Sequence, residues 1–407
     1  MRKSLKVVAL LGLGAITLNA SGYRIPEQSL NSTALGGAYV ANANGADASY
    51  YNPANMVWSD SKSSELESSL TYINLPKVKY GDLRGVPYSA ESKEEHFFVP
   101  TFHYVSPAVD NWRFGLSIVA PGGLSKRWTN AYQMLKSKEF TLEVVELNPT
   151  AAYKINDKLA LGFGLRGVYS KGVIKFEDLS GISGSAYKNE MEADSIDFGY
   201  NLAISYKATE NFTLASTYRS KVNLTVDGDA TGWLGHPTLG YNFNTGAKTS
   251  VPLPAVLTLA AAYTFNKTTV EFVLDRTYWS SYKNFDFDFD DAMVEGAFGS
   301  AKPKDWKDVN AYRVGVTHQY SDKLKFMGAF AIDKTPVPDA TLGFELPDSD
   351  AYIYSAGLEY KLNSKMKIGL AYLYSDKKSR SVNNGYVAGE FTDSSAHLLT
   401  ASLKYRF

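Results

Sequence analysis

Apolar and polar residues alternate along most of this chain with a period of two, which is the spacing of a β-strand. In the stretch AYRVGVTHQY, Tyr312, Val314 and Val316 share one face, whereas Arg313 and Gly315 share the other. The same pattern recurs in LKFMGAFAID (324–333), AYIYSAGLEY (351–360) and MKIGLAYLYS (366–375). Each predicted strand therefore has one apolar, aromatic-rich face and one small, polar face.

Tyrosine and phenylalanine recur at the ends of the apolar faces. A soluble β-sandwich also alternates, so alternation alone does not separate a water-facing from a lipid-facing structure. Aromatic residues at both ends of strand after strand are typical of membrane interfaces, where an amphipathic ring fits the headgroup level. After the first twenty residues, no apolar run approaches the roughly 18 residues that a membrane-spanning helix needs. The pattern predicts an all-β fold, a transmembrane antiparallel β-barrel.

Turn signals set the number of strands. Short turns rich in Asn, Asp, Ser and Lys are predicted at 109–111, 156–158, 208–211, 266–267, 321–323 and 363–365. Longer, irregular loops separate them. Six tight turns that alternate with long loops predict about fourteen strands, with both chain ends on the tight-turn side. Because lipid forbids an open sheet edge, the last strand, which ends at Phe407, should close onto the first strand near residues 66–73.

The N-terminal region divides into two further parts. Arg2, Lys3 and Lys6 precede an apolar stretch at 7–18, which predicts a secretory signal peptide over residues 1–20 with cleavage after Ala20. Residues 21–61 are rich in small residues and do not alternate. Irregular backbone at membrane depth must be surrounded by protein, so this segment is predicted to plug the lumen as a small N-terminal hatch. Residues 62–407 are predicted to form the barrel.

Composition removes several classes of function. The chain has 42 basic and 42 acidic residues, and without the three basic residues of the signal peptide the balance is 39 to 42, about −3. This charge does not favour nucleic acid. The complete absence of cysteine excludes disulfides, thiolate metal sites and a cysteine nucleophile.

Two motifs resemble binding sites. The stretch GFGLRG at 162–167 matches a dinucleotide-binding pattern, but it lies inside an alternating strand, where glycines leave room in the lumen or permit bending. In FDFDFDD, Asp286, Asp288 and Asp290 share one face, and a solvated strand extension is favoured over a cation site. The five histidines lack zinc-site spacing, and no nucleophile elbow is present. The sequence therefore predicts no cofactor, metal or catalytic residues.

Two proline-containing stretches interrupt the pattern. In YYNPANMVW, Pro53 fixes φ and pushes Asn52 towards extended geometry, which predicts a turn. Ala120, Pro121, Gly122 and Gly123 end the strand that begins at Trp112. Proline removes a ladder donor, so these residues either interrupt the barrel wall or begin a loop.

Several longer stretches resemble one known family. They are ALGGAY at 34–39, GADASYYNPA at 45–54, VPLPAVLTLAAAYTF at 251–265, DWKDVNAYRVGV at 305–316 and DKTPVPDATLGFELPDSDAYIYSAGLEY at 333–360. Together they resemble the FadL-type transporters of long-chain fatty acids and aromatic hydrocarbons in bacterial outer membranes.

The resemblance implies roles for particular residues. It implies a fourteen-stranded barrel with an N-terminal hatch, whose motif is Asn52, Pro53 and Ala54. Ser21, Gly22 and Tyr23 would form the hatch N-terminus, which shifts on ligand binding. Ala120, Pro121, Gly122 and Gly123 would form the kink of the third strand and the lateral exit.

Basic residues are expected for a carboxylate ligand. The resemblance makes Lys171 and Lys307 candidates by family position. Alternation places Arg313 and Lys307 towards the lumen, but it places Lys171 outward unless a bulge intervenes.

The predicted function is an outer-membrane channel for passive uptake of hydrophobic molecules, with fatty acids and aromatic hydrocarbons both open as cargo. Two alternatives are a general polar-solute porin, which lacks such an N-terminal plug, and a lipid hydrolase, which needs an adjoining Ser–His pair. The predicted partners are the hydrophobic ligand, outer-membrane lipid or lipopolysaccharide, and the barrel assembly machinery that reads Phe407. The protein is expected to act as a monomer.

Overall fold

A computed structural model describes residues 22–59 and 62–407. The predicted signal peptide and Ser21 lie outside the described residues. The helices are short: α1 (Leu30–Ala34), α2 (Ala48–Tyr51), α3 (Ala131–Ser137) and α4 (Ala292–Phe298), with 3-10 helices at Pro53–Trp58, Trp279–Ser281 and Asp339–Thr341. None of these described helices has the length and apolar character required to cross a bilayer.

The described residues form β-strands over most of their length. In chain order these are β1 (Glu65–Leu75), β2 (Lys79–Asp82), β3 (Ala90–Glu91), β4 (Glu95–Val105), β5 (Trp112–Val119), β6 (Gly123–Arg127), β7 (Glu139–Lys154), β8 (Leu159–Asp178), β9 (Ala186–Lys207), β10 (Phe212–Arg219), β11 (Val222–Gly235), β12 (Tyr241–Leu253), β13 (Ala255–Phe265), β14 (Thr268–Tyr278), β15 (Asn284–Phe285), β16 (Phe287–Phe289), β17 (Lys302–Pro303), β18 (Val309–Gln319), β19 (Leu324–Asp333), β20 (Ala351–Lys361), β21 (Met366–Lys377), β22 (Arg380–Asn383), β23 (Ala388–Thr392) and β24 (Ser395–Arg406).

These strands build a closed, antiparallel barrel of fourteen strands. Three barrel strands consist of two segments each, namely β5 with β6, β10 with β11, and β12 with β13. The short strands β2, β3, β15, β16, β17, β22 and β23 belong to the long loops. The last strand closes onto the first, from Glu65 opposite Arg406 to Asn74 opposite His397. All six predicted tight turns join consecutive barrel strands, so the predicted strand number and closure are confirmed.

The two faces of the wall also follow the sequence pattern. Tyr312, Val314 and Val316 are exposed on the outside, while Arg313 between them is fully buried. Aromatic side chains cluster at both ends of the outer apolar band: Trp112 packs on Tyr153 near the tight turns, and Phe330 packs on Tyr354 near the long loops. Alternation succeeds because lipid and lumen impose different chemistry on successive residues.

The fifth to eighth barrel strands extend well beyond the membrane on the long-loop side. β8 has 20 residues and β9 has 22, whereas about 9–11 residues suffice to cross the hydrocarbon core. Beside this extension, Phe285, Phe287 and Phe289 are buried in an apolar cluster, whereas the aspartates between them are exposed. The FDFDFDD stretch is thus a solvated strand extension with one apolar face, and the described residues contain no cluster of three or more potential metal ligands.

Residues 22–59, called the N-terminal segment below, contact inward-facing side chains around the barrel. α1 packs against β19, β20, β21 and β24, α2 against β4, β5 and β7, and the 3-10 helix Pro53–Trp58 against β5, β7, β8 and β9. Gly162 of β8 permits a close approach of the segment's backbone. A Cβ atom there would lie 2.5 Å from the backbone nitrogen of Ala54 and 2.8 Å from the carbonyl carbon of Pro53. The glycine leaves lumen room, which the N-terminal segment fills.

Substitution of Gly162 by leucine should therefore dislodge the N-terminal segment and destabilise the protein by about 1–3 kcal/mol, the usual cost of overpacking. The measurement is the temperature at which the purified protein loses its folded electrophoretic mobility. Gly167→Leu on the same strand is the matched control, because a Cβ atom there meets nothing closer than 3.9 Å. Equal transition temperatures for both variants would contradict this reading of the contact.

Candidate functional site

A cavity of about 370 Å³ lies among the long loops at one end of the barrel. This volume falls within the range of small-molecule sites, about 300–1,000 Å³. Aromatic and aliphatic side chains supply much of its wall, among them Phe140, Phe176, Phe285, Leu342 and Tyr386. The cavity can therefore hold an apolar molecule.

The charged side chains that line this cavity carry a net positive charge. They are Lys136, Lys302, Lys304 and Glu345. Lys304 is ion-paired with Glu345. Within the described part of the chain, Lys302 has no carboxylate at salt-bridge distance, and its ammonium lies 4.7 Å from the centre of the Phe176 ring and 5.5 Å from that of Phe287. An ammonium held against aromatic rings is available to an anionic group of a ligand.

The surroundings of Lys302 also change its acidity. Burial lowers its pKa from the ordinary value of 10.5 to about 8, and the nearby positive charges of Lys136 and Lys304 act in the same direction, against Glu345. Burial lowers the pKa of a lysine because a medium of low polarity disfavours the charged form. A bound anion would compensate for this cost.

A smaller cavity, of about 20 Å³, continues inward and shares Phe140, Lys304 and Glu345 with the first. Its inner end is closed by Tyr23. The ring of Tyr23 packs edge-on against Trp279 at 4.7 Å between centroids, and Trp279 contacts Trp306 at 4.8 Å. The Tyr23 hydroxyl donates a hydrogen bond to the carbonyl oxygen of Pro252 at 2.5 Å. A side chain of the N-terminal segment thus fills an aromatic pocket next to the cavity.

The third barrel strand is interrupted at Ala120–Gly122, between β5 and β6. The ladder between β4 and β5 runs only from Phe102 opposite Ile118 to Val105 opposite Gly115. Residues 95–101 of β4 therefore have no ladder partner on this side of the described barrel. Of the two alternatives that the sequence left open, an interrupted wall and the start of a loop, the structure has the interrupted wall.

The N-terminal segment supplies the hydrogen bonds that the interrupted strand lacks. The backbone nitrogen of Ile25 donates to the carbonyl oxygen of Pro121, and that of Gly123 donates to the carbonyl oxygen of Tyr23, both at 2.9 Å. The side-chain amide of Gln28 donates to the carbonyl oxygen of Ala120 at 2.8 Å and accepts from its nitrogen at 2.7 Å. Tyr23 thus belongs both to the cavity end and to the wall.

The Asn52-Pro53-Ala54 motif fixes the other end of the segment. Pro53 begins the 3-10 helix, where its missing N–H is harmless. The side-chain amide of Asn52 donates to the carbonyl oxygen of Val40 at 3.1 Å, and the side-chain amide of Asn55 donates to the carbonyl oxygen of Ala43 at 2.9 Å. The motif thereby holds the chain around residues 40–43 in a fixed turn.

Comparison with known proteins identifies this architecture. The model of the family described as outer membrane protein transport protein (OMPP1/FadL/TodX) matches residues 11–407. The chain belongs to this family. It is a bacterial outer-membrane protein, and its family is one of transport proteins.

Named relatives agree with this assignment. The long-chain fatty acid transport protein of Escherichia coli O6:H1 is 25% identical over 95% of both chains. The crystal structure of a Pseudomonas aeruginosa FadL homologue superposes with a TM-score of 0.82 at 20% identity, over 95% of this chain and 99% of that chain. The Pseudomonas putida toluene transporter TodX superposes with a TM-score of 0.73 at 18% identity, over 96% and 99%. The two structural similarities show a shared fold.

Two basic residues that the family resemblance suggests for a ligand carboxylate do not face the lumen of this FadL-type barrel. Lys171 points outward and forms an ion pair with Glu192 at 2.5 Å, because the β7–β8–β9 register runs through this region without a bulge. Lys307 is exposed rather than lumen-facing, because β18 begins only at Val309 and strand alternation does not extend to it. Its neighbour Trp306 takes the buried position.

Arg313 does point inward, as alternation predicts. Its guanidinium donates to the carbonyl oxygen of Gly36 at 2.7 Å and pairs with Asp333 at 3.2 Å and Asp275 at 3.4 Å. A guanidinium with two carboxylate partners anchors the N-terminal segment rather than offering a free charge. Sequence reasoning missed Lys136 and Lys302, and the only signal near them was the alternating phenylalanines at 285–289.

A Ser–His pair, which the hydrolase alternative requires, is present in the lumen. Nδ1 of His103 lies 3.1 Å from Oγ of Ser117, and Nε2 of His103 lies 2.8 Å from the carbonyl oxygen of Gln28. Ser117 also contacts the hydroxyl of Ser49 at 2.8 Å. All of these side chains are fully buried. The pair fastens the N-terminal segment to the wall and leaves no space for an ester.

The acidity of Lys302 can be measured directly. Its rate of acetylation by acetic anhydride should reach half of its maximum near pH 8, because only the neutral amine reacts. Peptide mass spectrometry of the labelled protein follows this residue, and the Lys302→Gln variant identifies its peptide. A midpoint near the ordinary value of 10.5 would show that the amine is fully hydrated.

Proposed function

We propose that this chain is a passive outer-membrane channel for hydrophobic molecules, in which residues 21–61 act as a hatch and the cargo leaves sideways through the barrel wall. One observation carries the proposal: Tyr23 closes the inner end of an apolar cavity and also bonds to the interrupted third strand. The cavity and the wall are therefore linked by a single residue.

Entry would occur at the cavity among the long loops. A lipid-like molecule gains from leaving water for an apolar site, and it gains nothing from an aqueous pore. The surrounding side chains offer aromatic rings for its apolar part. Uptake by this route needs no energy source.

The lumen beneath would stay closed to polar solutes. Hydrogen bonds hold the N-terminal segment to the wall at several separate points. The Arg313 guanidinium donates to the carbonyl oxygen of Gly36, and the Thr33 and Thr400 hydroxyls bond to each other. The Glu271 carboxylate accepts from the backbone nitrogens of Val40 and Ala41. These contacts favour a plugged channel over the general porin alternative.

Gating would follow from displacement of Tyr23. A ligand that occupies the aromatic pocket of Trp279 and Trp306 competes with the Tyr23 ring. Movement of Tyr23 would weaken the adjacent bonds from Gly123 to Tyr23 and from Ile25 to Pro121. A ligand shifts such an equilibrium by binding one arrangement better than the other. In this proposal Ala120, Pro121, Gly122 and Gly123 border the lateral exit, and Ser21, Gly22 and Tyr23 form the moving end.

Of the two cargo classes, a fatty acid fits the cavity better than a neutral aromatic hydrocarbon. Lys302 provides an ammonium without an ion-pair partner among the described residues, and the phenylalanines beside it suit an alkyl chain. A charge-assisted hydrogen bond to the carboxylate would offset the cost of burying both groups. A relative named as a toluene transporter keeps the aromatic hydrocarbon as the second candidate.

The proposal includes the partners of the barrel. We expect it to act as a monomer surrounded by outer-membrane lipid and lipopolysaccharide. Phe407 is half-exposed at the end of the closing strand, with its ring 5.6 Å from that of Tyr405. That position leaves the terminal aromatic residue accessible to the barrel assembly machinery.

Uptake of radiolabelled oleate and toluene by cells carrying this chain tests the function and its cargo. Oleate should enter faster than in barrel-free cells. Lys302→Met should reduce oleate uptake about tenfold or more, because losing one hydrogen bond to a charged group costs about 1.5–3 kcal/mol. Toluene uptake should not depend on Lys302. Lys307→Met removes the same charge from an exposed neighbour and should leave both rates unchanged.

Two outcomes would contradict these statements. If neither compound enters faster than in barrel-free cells, the chain is not a channel for these molecules. If oleate enters equally well with Lys302→Met, the carboxylate does not bind at this cavity.

A further inference from the structure

The barrel wall has a second interruption, between the sixth and seventh strands. The ladder of β9 with β10 ends where Asn201 pairs with Arg219, and the ladder of β9 with β11 resumes where Asp194 pairs with Asp227. Residues 195–200 and 220–226 between these points have no ladder pairing with each other. The register shifts by one residue across this interval, called the β9–β11 break below.

Side-chain hydrogen bonds and one backbone hydrogen bond replace the missing ladder in the β9–β11 break. A carboxylate oxygen of Asp197 accepts from the backbone nitrogen of Thr225 at 3.2 Å and from the hydroxyl of Ser195 at 2.6 Å. Ser220 closes the lower end, where its backbone nitrogen donates to the carbonyl oxygen of Tyr200 and its hydroxyl accepts from the nitrogen of Tyr200, both at 2.9 Å. The break is therefore closed by a few bonds.

The β9 edge of the break lies in the lipid-facing part of the wall, whereas the β11 edge exposes Lys221 and Asn223. Ile196 and Phe198, which flank Asp197, are 61% and 79% exposed on the outside. Side chains of this kind belong to the apolar band of a membrane barrel. Backbone groups without partners are costly at this depth in lipid, which is why barrels normally close their ladders.

The upper part of the inner side of the break is apolar, whereas the buried ion pair of Arg166 with Glu146 lies at its lower end. Val168, Val222 and Leu224 are buried on this inner side, in the same hydrophobic cluster as Tyr23 and Trp279. A molecule that displaced Tyr23 would therefore meet apolar side chains up to the break.

The lower edge of the break is joined to the N-terminal segment. The guanidinium of Arg219 lies 4.2 Å from the centre of the Tyr50 ring and donates to the carbonyl oxygen of Tyr50 at 3.4 Å. Tyr50 lies two residues before the Asn52-Pro53-Ala54 motif. The N-terminal segment thus contacts this edge as well as the third strand.

We propose that the β9–β11 break is a second lateral exit for the apolar cargo, and this inference rests on the proposed function. Opening a regular ladder in lipid would leave several backbone groups without partners. Opening the break requires loss of the Asp197–Thr225 and Ser220–Tyr200 bonds and of the bond from the Arg166 guanidinium to the carbonyl oxygen of Ser220. It connects the partly apolar interior with the membrane.

A reversible cross-link across the break tests this proposal. A Cβ atom at Gly199 would lie 2.7 Å from a methyl carbon of Val222, so cysteines at these two positions are close enough for a disulfide. The chain has no native cysteine, so the Gly199→Cys/Val222→Cys pair is the sole thiol pair. Tyr206→Cys/Leu214→Cys is the matched control, because it joins the same two barrel strands within their intact ladder.

Uptake of radiolabelled oleate and toluene is measured after oxidation and again after reduction with dithiothreitol. Oxidation of Gly199→Cys/Val222→Cys should lower uptake about twofold or more, since opening of a gate often limits the rate. Reduction should restore it, and the control pair should be insensitive. Asp197→Ala, which weakens the closure, should raise uptake in a barrel of unchanged electrophoretic mobility.

The outcomes separate this inference from the proposed function. If the wild-type chain imports either compound but neither the cross-link nor Asp197→Ala changes its rate, the second exit is overturned and the channel stands. If the wild-type chain imports neither compound, the proposed function fails and the second exit fails with it.

Discussion

Hydrogen bonding of the backbone in lipid is the constraint on which the rest of this structure depends. A strand in hydrocarbon has no water to satisfy its N–H and C=O groups, so every strand needs a neighbour and the sheet must close. The fourteen-stranded barrel meets this demand almost everywhere. Besides the β9–β11 break, the ladder fails at Ala120–Gly122, and there the N-terminal segment provides the missing partners through Tyr23, Ile25 and Gln28. The interrupted strand therefore depends on the N-terminal segment for its backbone hydrogen bonds.

The same segment connects the wall to the cavity among the long loops. The side chain of Tyr23 closes the inner end of the smaller cavity that adjoins it, whereas the carbonyl oxygen of Tyr23 accepts the bond from Gly123. Binding and wall opening can thus be coupled without any large movement of the barrel. Buried ion pairs such as Arg313 with Asp333 hold the rest of the segment in place, so the proposed motion is confined to its first residues. The fixed part is further defined by Pro53 and Ala54 against Gly162.

Much of the fold could be predicted from the sequence because two solvents act on every strand. Lipid outside and protein or water inside impose a strict period of two, and this placed Tyr312 outward and Arg313 inward correctly. The loops carry no such period, so Lys302 and Lys136 could not be assigned to a cavity. Lys307 was misplaced because alternation was extended past the start of β18 at Val309. Lys171 shows the opposite case, in which alternation was right and the family position was misleading. The sequence could not show why glycine is needed at 162, because the reason is the backbone of the N-terminal segment packed against it.

The most direct test of the central claim is amide hydrogen exchange at Ile25, Ala120 and Gly123, measured in detergent with and without bound laurate. If the N-terminal segment seals the interrupted strand, these three amides should be protected in the empty protein and should exchange faster when the ligand displaces Tyr23. Amides in the intact β19–β20 ladder should not change. Equal protection of the three amides with and without laurate would contradict the claim that ligand binding releases the wall.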